Sequence, residues 1–158
     1  MRLYFLRHGI ADWPQWDMDR DHERPLNDEG VKKMKAEARA IAQLDLGLSA
    51  ILSSPYTRAW QTADIVAERL MIELLEEPLL APGFNLDRLR EILSHHADKN
   101  ALMLVGHEPG FSLTIGELIG GGRIEMKKGG LARVDLDSIE SLSGRLVWLL
   151  TSKVLTPN

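Results

Sequence analysis

Ala101-Leu102-Met103-Leu104-Val105-Gly106-His107-Glu108-Pro109 decides the fold. Its first half is a continuous apolar run, too short for a helix and apolar on both faces, so it reads as a strand buried on both sides. Pro109 then opens a helix that carries Phe111, Ile115, Leu118 and Ile119 on one side, and Gly120-Gly121-Gly122 stops it. Leu3–Leu6 repeats the apolar run near the start of the chain. Asn27 is placed to cap a helix whose face carries Val31, Met34, Ala38, Ile41 and Ala42, with Gly47 closing the unit. Ala50–Leu52 is the next strand, and Ser54-Pro55 reads as cap and first turn of a helix bearing Ala59, Ala63, Val66 and Leu70. Ile72–Leu75 reads as a short strand. The Pro- and Gly-bearing stretch Glu77–Asn85 is a loop before a helix on Leu86, Leu89, Ile92 and Leu93. Leu131–Leu136 and Leu146–Leu150 finish the chain as strands. Strand and helix alternate, which predicts an α/β fold: a three-layer α/β/α sandwich on a mostly parallel central sheet.

The 158 residues suit a single domain spanning 1–158. Nineteen Lys+Arg against 23 Asp+Glu give a net charge of −4. Such a balance argues against a nucleic-acid binder that relies on bulk positive charge. With no Cys, disulfides, thiolate metal sites and a cysteine nucleophile are all excluded. Met1–Arg7 does not resemble a secretion signal, and no apolar run approaches the ~20 residues that cross a bilayer. The expectation is a cytoplasmic protein that engages neither membrane nor nucleic acid.

Ligands of open α/β sheets bind beyond the carboxyl ends of the strands. Arg7-His8-Gly9 follows the first apolar run, Ser53-Ser54-Pro55-Tyr56-Thr57-Arg58 the second, and Gly106-His107-Glu108-Pro109 the strong one. Two imidazoles and two guanidiniums therefore converge on one rim. Guanidinium forks suit phosphate oxygens, and Arg58 falls in a first helical turn, where free N–H groups also favour an anion. A neutral imidazole is a competent nucleophile, and a second can donate a hydrogen bond as charge develops.

Leu6-Arg7-His8-Gly9, the stretch Ser53–Ala63 and Val105-Gly106-His107-Glu108-Pro109 resemble, in order, the three blocks of the histidine phosphatase superfamily. The resemblance implies a phosphoglycerate-mutase-like fold and makes His8 the residue that becomes phosphorylated, with Arg7, Arg58 and His107 forming the phosphate pocket. The short chain, Arg24-Pro25-Leu26 and Leu80-Ala81-Pro82-Gly83 look most like the SixA-type phosphohistidine phosphatases, in which Arg24 would add a substrate contact. Superfamily members that act on esters carry a Glu or Asp acid after the second helix; here Pro78-Leu79-Leu80-Ala81-Pro82 offers none. An alkoxide leaving group needs a proton, whereas the imidazole of phosphohistidine can leave already protonated. The implied substrate is a phosphorylated protein, such as a histidine phosphotransfer domain, with no cofactor and no metal. The alternative is a small phosphate ester, its acid recruited from Glu108 or the Ile10–Arg24 loop.

Blander readings stand beside these. Glu108 suits a helix start on dipole grounds alone. Asp17, Asp19 and Asp21 imitate a calcium loop, but His22 and Asp28 occupy the positions that need Gly and Glu. Ile10–Arg24 reads as a polar lid with Trp13 and Trp16 as packing anchors. His95, His96, Lys127 and Lys128 read as solvated, Trp60 and Trp148 as packing residues. A metal hydrolase built on His8 and His107 would have two cations repelling its ion, and a silent phosphoprotein binder would not need both imidazoles.

Overall fold

The computed structural model describes residues 1–157. Six strands form one sheet: β1 (Arg2–Arg7), β2 (Ala50–Ser53), β3 (Leu74–Glu76), β4 (Ala101–Gly106), β5 (Leu131–Ser138) and β6 (Ser143–Leu150), in the order β3-β2-β4-β1-β5-β6. The pairs from β3 through β1 are parallel, as the alternating pattern predicts. β5 pairs antiparallel with β1 and with β6; β5 and β6 are joined by a short turn, which cannot make a parallel crossover.

The apolar runs are explained by two-sided burial. Every residue of β4 is buried. Along β1, Leu3 and Phe5 enter one cluster and Tyr4 and Leu6 the other, following the two-residue period of a strand. The first cluster is closed by Leu89, Ile92 and Leu93 of α3 (Leu86–His95) and by Phe111, Ile115 and Leu118 of α4 (Gly110–Leu118). The second is closed by Met34, Ala38 and Ile41 of α1 (Asp28–Ala42) and by Ala59, Ala63 and Val66 of α2 (Thr57–Leu70). A short α5 (Ser152–Leu155) follows β6. The sandwich therefore has the three expected layers. None of its helices is long and apolar enough to cross a membrane among the described residues.

Local capping explains several boundaries. Asn27 caps α1, its side chain accepting from Gly30 N–H at 2.7 Å, and Asn85 caps α3 through Arg88 N–H at 3.0 Å. Gly30 is required there: a Cβ would lie 2.1 Å from the Ile10 carbonyl oxygen, so only glycine lets α1 meet the segment leaving β1. Ser54 and Pro55 depart from expectation. α2 starts later, at Thr57, with no side-chain cap, and the Ser54 hydroxyl accepts instead from Tyr56 N–H, ahead of the helix. The third strand starts two residues later than its apolar run, and Pro78–Leu80 form a 3₁₀ turn inside the predicted loop.

One buried acid lies in this frame. Glu37 of α1 is 1% exposed, receives a hydrogen bond from Ser152 Oγ and leaves Oε2 unpartnered. Burial pushes its carboxyl up to about 7, against the lowering effects of Ser152 and Lys33. It packs on Gly129, where a Cβ would lie 2.7 Å from both carboxylate oxygens.

Candidate active site

The sheet register assembles the site. Arg7 pairs with Gly106 and Ser53 with Val105, so β1, β2 and β4 end level with one another. The ladder continues one step beyond: His8 N–H donates to Gly106 O at 3.1 Å, and Ser54 N–H to Val105 O at 3.0 Å. His8 and His107 thus emerge from parallel neighbours, their ring centroids 5.3 Å apart. Gly9 N–H donates to Thr62 Oγ1, which in turn donates to Arg58 O, tying the turn after His8 to α2.

Arg7, His8, Arg24, Arg58 and His107, the five residues singled out in the sequence, all line one cavity of about 390 Å³. Asp12, Asp21, Pro82, Glu108 and Lys128 complete its wall. Arg58 is 5% exposed, and its Nε–H reaches His8 Nε2 at 3.3 Å. The Arg7 guanidinium is held by Nη1 donating to Met126 O at 2.8 Å, while its Nε is buried without a partner.

His8 is prepared as a neutral base. Its Nδ1–H donates to the Gly9 carbonyl at 2.7 Å, which fixes the proton on Nδ1 and leaves the Nε2 lone pair facing Arg58. Burial lowers its pKa to about 3; the Gly9 bond opposes this, and the charges of His107, Arg58 and Arg7 reinforce it. Burial, then Arg58, likewise brings His107 to about 3, with Asp21 opposing. Ser54 Oγ accepts from Tyr56 N–H at 3.2 Å and lies 2.7 Å from His107 Nε2. The other ring nitrogen of His107, Nδ1, is a buried atom with no partner.

Sequence reasoning missed Asp21. Its carboxylate bridges the two guanidiniums: Oδ1 accepts from Arg24 Nε at 2.9 Å and Oδ2 from Arg58 Nη2 at 3.1 Å, while its carbonyl accepts from Arg58 Nη1 at 2.9 Å. Burial alone would raise its pKa, but the Arg24 hydrogen bond and the Arg58 and Arg24 charges outweigh it and hold the carboxyl below the usual range. The available signal was the i,i+3 spacing of Asp21 and Arg24, within a run that suggested only a failed calcium loop. Trp13 and Trp16, read as anchors of the Ile10–Arg24 lid, are each held by the indole N–H, to Pro25 O at 2.9 Å and Arg20 O at 3.0 Å respectively. Glu108 accepts from Ser112 N–H at 3.1 Å, as an acid at a helix start should. No group of three or more His, Asp or Glu side chains placed to share a metal ion occurs among the described residues.

The arrangement is a cationic pocket around two neutral imidazoles, able to hold a phosphoryl group. The model of the histidine phosphatase superfamily (branch 1) matches residues 3–81. An uncharacterized protein of Picosynechococcus sp. is 34% identical over 96% of each chain. The structure of the protein histidine phosphatase SixA complexed with tungstate superposes with a TM-score of 0.85 at 25% identity, covering 99% of this chain and 100% of that one. A phosphohistidine phosphatase SixA structure from Agrobacterium tumefaciens gives 0.80 at 25% identity over 95% and 97%. The chain belongs to the histidine phosphatase superfamily, and it is a phosphatase with the phosphoglycerate-mutase-like fold in its SixA-like form.

Proposed function

We propose that the enzyme removes phosphate from a phosphohistidine on another protein, through a phosphohistidine intermediate on its own His8. Nε2 of neutral His8 attacks phosphorus in line while Arg7, Arg58 and His107 hold the equatorial oxygens. The P–N bond of the substrate breaks, its electron pair returns to the substrate imidazole, and that ring, protonated on its far nitrogen, leaves neutral. Water then attacks phosphorus, His8 recovers its lone pair and inorganic phosphate departs. Arg24 completes the phosphate grip through its link to Arg58 by way of Asp21.

The observation that carries this reading is the state of the carboxylates. Glu77, the last before the segment where an acid would be expected, caps Leu79 N–H at 3.0 Å, and the cavity wall there is Pro82. Of the three carboxylates that do line the cavity, Asp12 is paired with Lys128 and Asp21 with Arg24 and Arg58. Glu108 accepts a hydrogen bond from backbone. The pocket is thus suited to a leaving group that brings its own proton. A phosphohistidine peptide should be hydrolysed with a kcat/KM about 10²–10⁴-fold above that of an alkyl phosphate, the usual worth of a missing general acid. Faster turnover of the alkyl ester would replace the proposal with the ester reading and Glu108 as its acid.

Asp21 gives a second prediction. Asp21→Asn keeps the shape but removes the charge that holds Arg58 and Arg24 together. kcat should fall about tenfold as Arg58 loses its aim, while inorganic phosphate inhibits at lower concentration because the pocket has gained net positive charge. Steady-state kinetics with phosphate as inhibitor checks both; an unchanged kcat would detach Asp21 from the reaction.

A further inference from the structure

The phosphate cavity does not end at its own wall. Arg7, Asp12 and Lys128 also line a neighbouring depression of about 320 Å³, whose other walls include Lys33, Glu37 and Lys127. Lys33, Lys127 and Ser152 pass on into a third depression of about 1170 Å³, where Lys32 and Lys153 join them. The three run in series as one trench. Its cations come from separate parts of the chain: Lys32 and Lys33 from α1, Lys127 and Lys128 from the segment between α4 and β5, Lys153 from α5. The Ser152–Glu37 hydrogen bond ties α5 to α1 and so fixes the trench between them. Five of the chain's seven lysines line it, in a protein whose net charge is −4. The carboxylates along it do not cancel them. Burial pushes the Glu37 carboxyl up to about 7, which roughly halves its charge at neutrality. Glu29 is paired with Lys33 at 2.9 Å and Asp12 with Lys128 at 2.6 Å, and Lys127 meets Glu125. These are contacts of largely exposed side chains, which a partner's carboxylate can replace at little cost. Lys32 has no carboxylate partner among the described residues.

We propose that this lysine trench is the docking surface for the phosphorylated protein, and that it takes an acidic segment flanking the phosphohistidine. Three features choose this occupant. The trench joins the phosphate cavity through three shared residues, so a polypeptide whose phosphohistidine faces His8 can lie along it. Its charge selects carboxylates. Its outer part alone, at about 1170 Å³, exceeds the ~300–1,000 Å³ that usually serves a small molecule. The rest of the surface is acidic on balance, so it repels an acidic partner everywhere but here and steers the encounter into the trench. The inference rests on the phosphohistidine reading and adds to it which protein surfaces the enzyme accepts.

The test uses free phosphohistidine and phosphohistidine dodecapeptides of Gly and Ser. A block of three Glu is moved through the positions on either side of the phosphorylated residue, and matched peptides carry Gln or Lys instead. At one placement Glu should raise kcat/KM about tenfold over Gln, mainly through KM, on the scale of three exposed ion pairs acting together. The gain should shrink as salt is added, and Lys should reverse it. A Lys32→Gln, Lys33→Gln, Lys153→Gln triple variant, changed only at exposed positions, should lose the Glu preference and keep wild-type turnover of free phosphohistidine. A Lys35→Gln, Lys99→Gln variant removes the two lysines outside the trench and should keep the preference. Melting temperatures check the fold of both, and a Lys32→Gln, Lys153→Gln double variant, which spares the Glu29 pair, replaces the triple variant if that one melts early. A preference absent from the wild type, or kept by the triple variant, would overturn the docking surface. So would an equal loss in the Lys35, Lys99 variant, which would make the effect one of bulk charge, or an equal loss on free phosphohistidine. Tighter competition by a ribododecanucleotide than by the unphosphorylated Glu peptide would make the trench a nucleic-acid surface and overturn it too. Hydrolysis of p-nitrophenyl phosphate with no turnover of free phosphohistidine or of any peptide would overturn the phosphohistidine reading and the docking surface together.

Discussion

His8→Ala is expected to lose about five to six orders of magnitude in kcat, on the scale seen when an enzyme's covalent nucleophile is removed. No other nucleophile is at hand. The chain has no Cys, and Nε2 of His107 is held by Ser54 Oγ at 2.7 Å. The wild-type enzyme, quenched during turnover of a labelled substrate, should carry a label that acid removes and base spares, as a phosphoramidate requires. The variant should carry none. Binding should behave differently from turnover. Arg7, Arg58 and His107 remain in the variant, so inorganic phosphate should still raise its melting temperature. An acid-stable label, or a label that persists in the variant, would place the covalent step on another residue.

The second large effect is on stability in acid. His8 and His107 titrate near 3 in the folded chain and near 6.5 unfolded. Below pH 6.5 the unfolded chain therefore takes up two protons that the folded chain refuses. Their contribution to stability is complete above 6.5 and drains as pH falls towards 3. Glu37 works the other way. Its carboxyl is near 7 when folded and 4.5 when unfolded, so between those values the folded chain holds one proton that the unfolded chain lacks. From pH 6.5 to 4.5 the net difference is one proton, about 1.4 kcal/mol per pH unit. Below 4.5 both states hold the Glu37 proton, and the slope doubles to about 2.7 kcal/mol per unit. The loss between neutrality and pH 3.5 then comes to roughly 5 kcal/mol, comparable with the whole stability of many domains. Urea titrations at stepped pH measure it. A His8→Gln, His107→Gln double variant should lose this slope below pH 6.5, and Glu37→Gln should steepen it between 6.5 and 4.5. A wild-type stability that rises as pH falls from 6.5 to 4.5 would mean that the two rings are protonated in the folded state and only Glu37 is left to act.

Much of this was legible in the sequence because burial on both faces of a strand leaves a signal that needs no partner to be seen. Leu3–Leu6 and Ala101–Val105 announce central strands, and the polar residues directly after them must share a rim once the strands are parallel. Arg24 was harder, since a cation beside a helix has many uses; what places it is Asp21, and Asp21 is aimed by a 3₁₀ turn, Met18–Glu23, with no periodicity to read. The pairing of Asp21 with Arg58 spans 37 positions, a separation that only tertiary structure can close. Ser54 shows a different limit. A serine before proline is a good helix cap, and the same hydroxyl is a good partner for an imidazole; local sequence cannot choose between them. In the fold the hydroxyl serves both: it accepts from Tyr56 N–H, and the end of β4 brings His107 to 2.7 Å.

The place of β1 in the sheet has a consequence for biosynthesis. Of the six strands this one is made before the others, yet its neighbours are β4 and β5, which begin at Ala101 and Leu131. Until those residues leave the ribosome, Leu3-Tyr4-Phe5-Leu6 has nothing to pair with on either edge, and His8 has neither the Gly106 carbonyl nor the His107 ring beside it. A chain that lacks these strands therefore carries His8 without its pocket. Phosphatase activity has to wait for β4 and β5, and a nascent chain stalled before β5 exposes a sticky apolar strand.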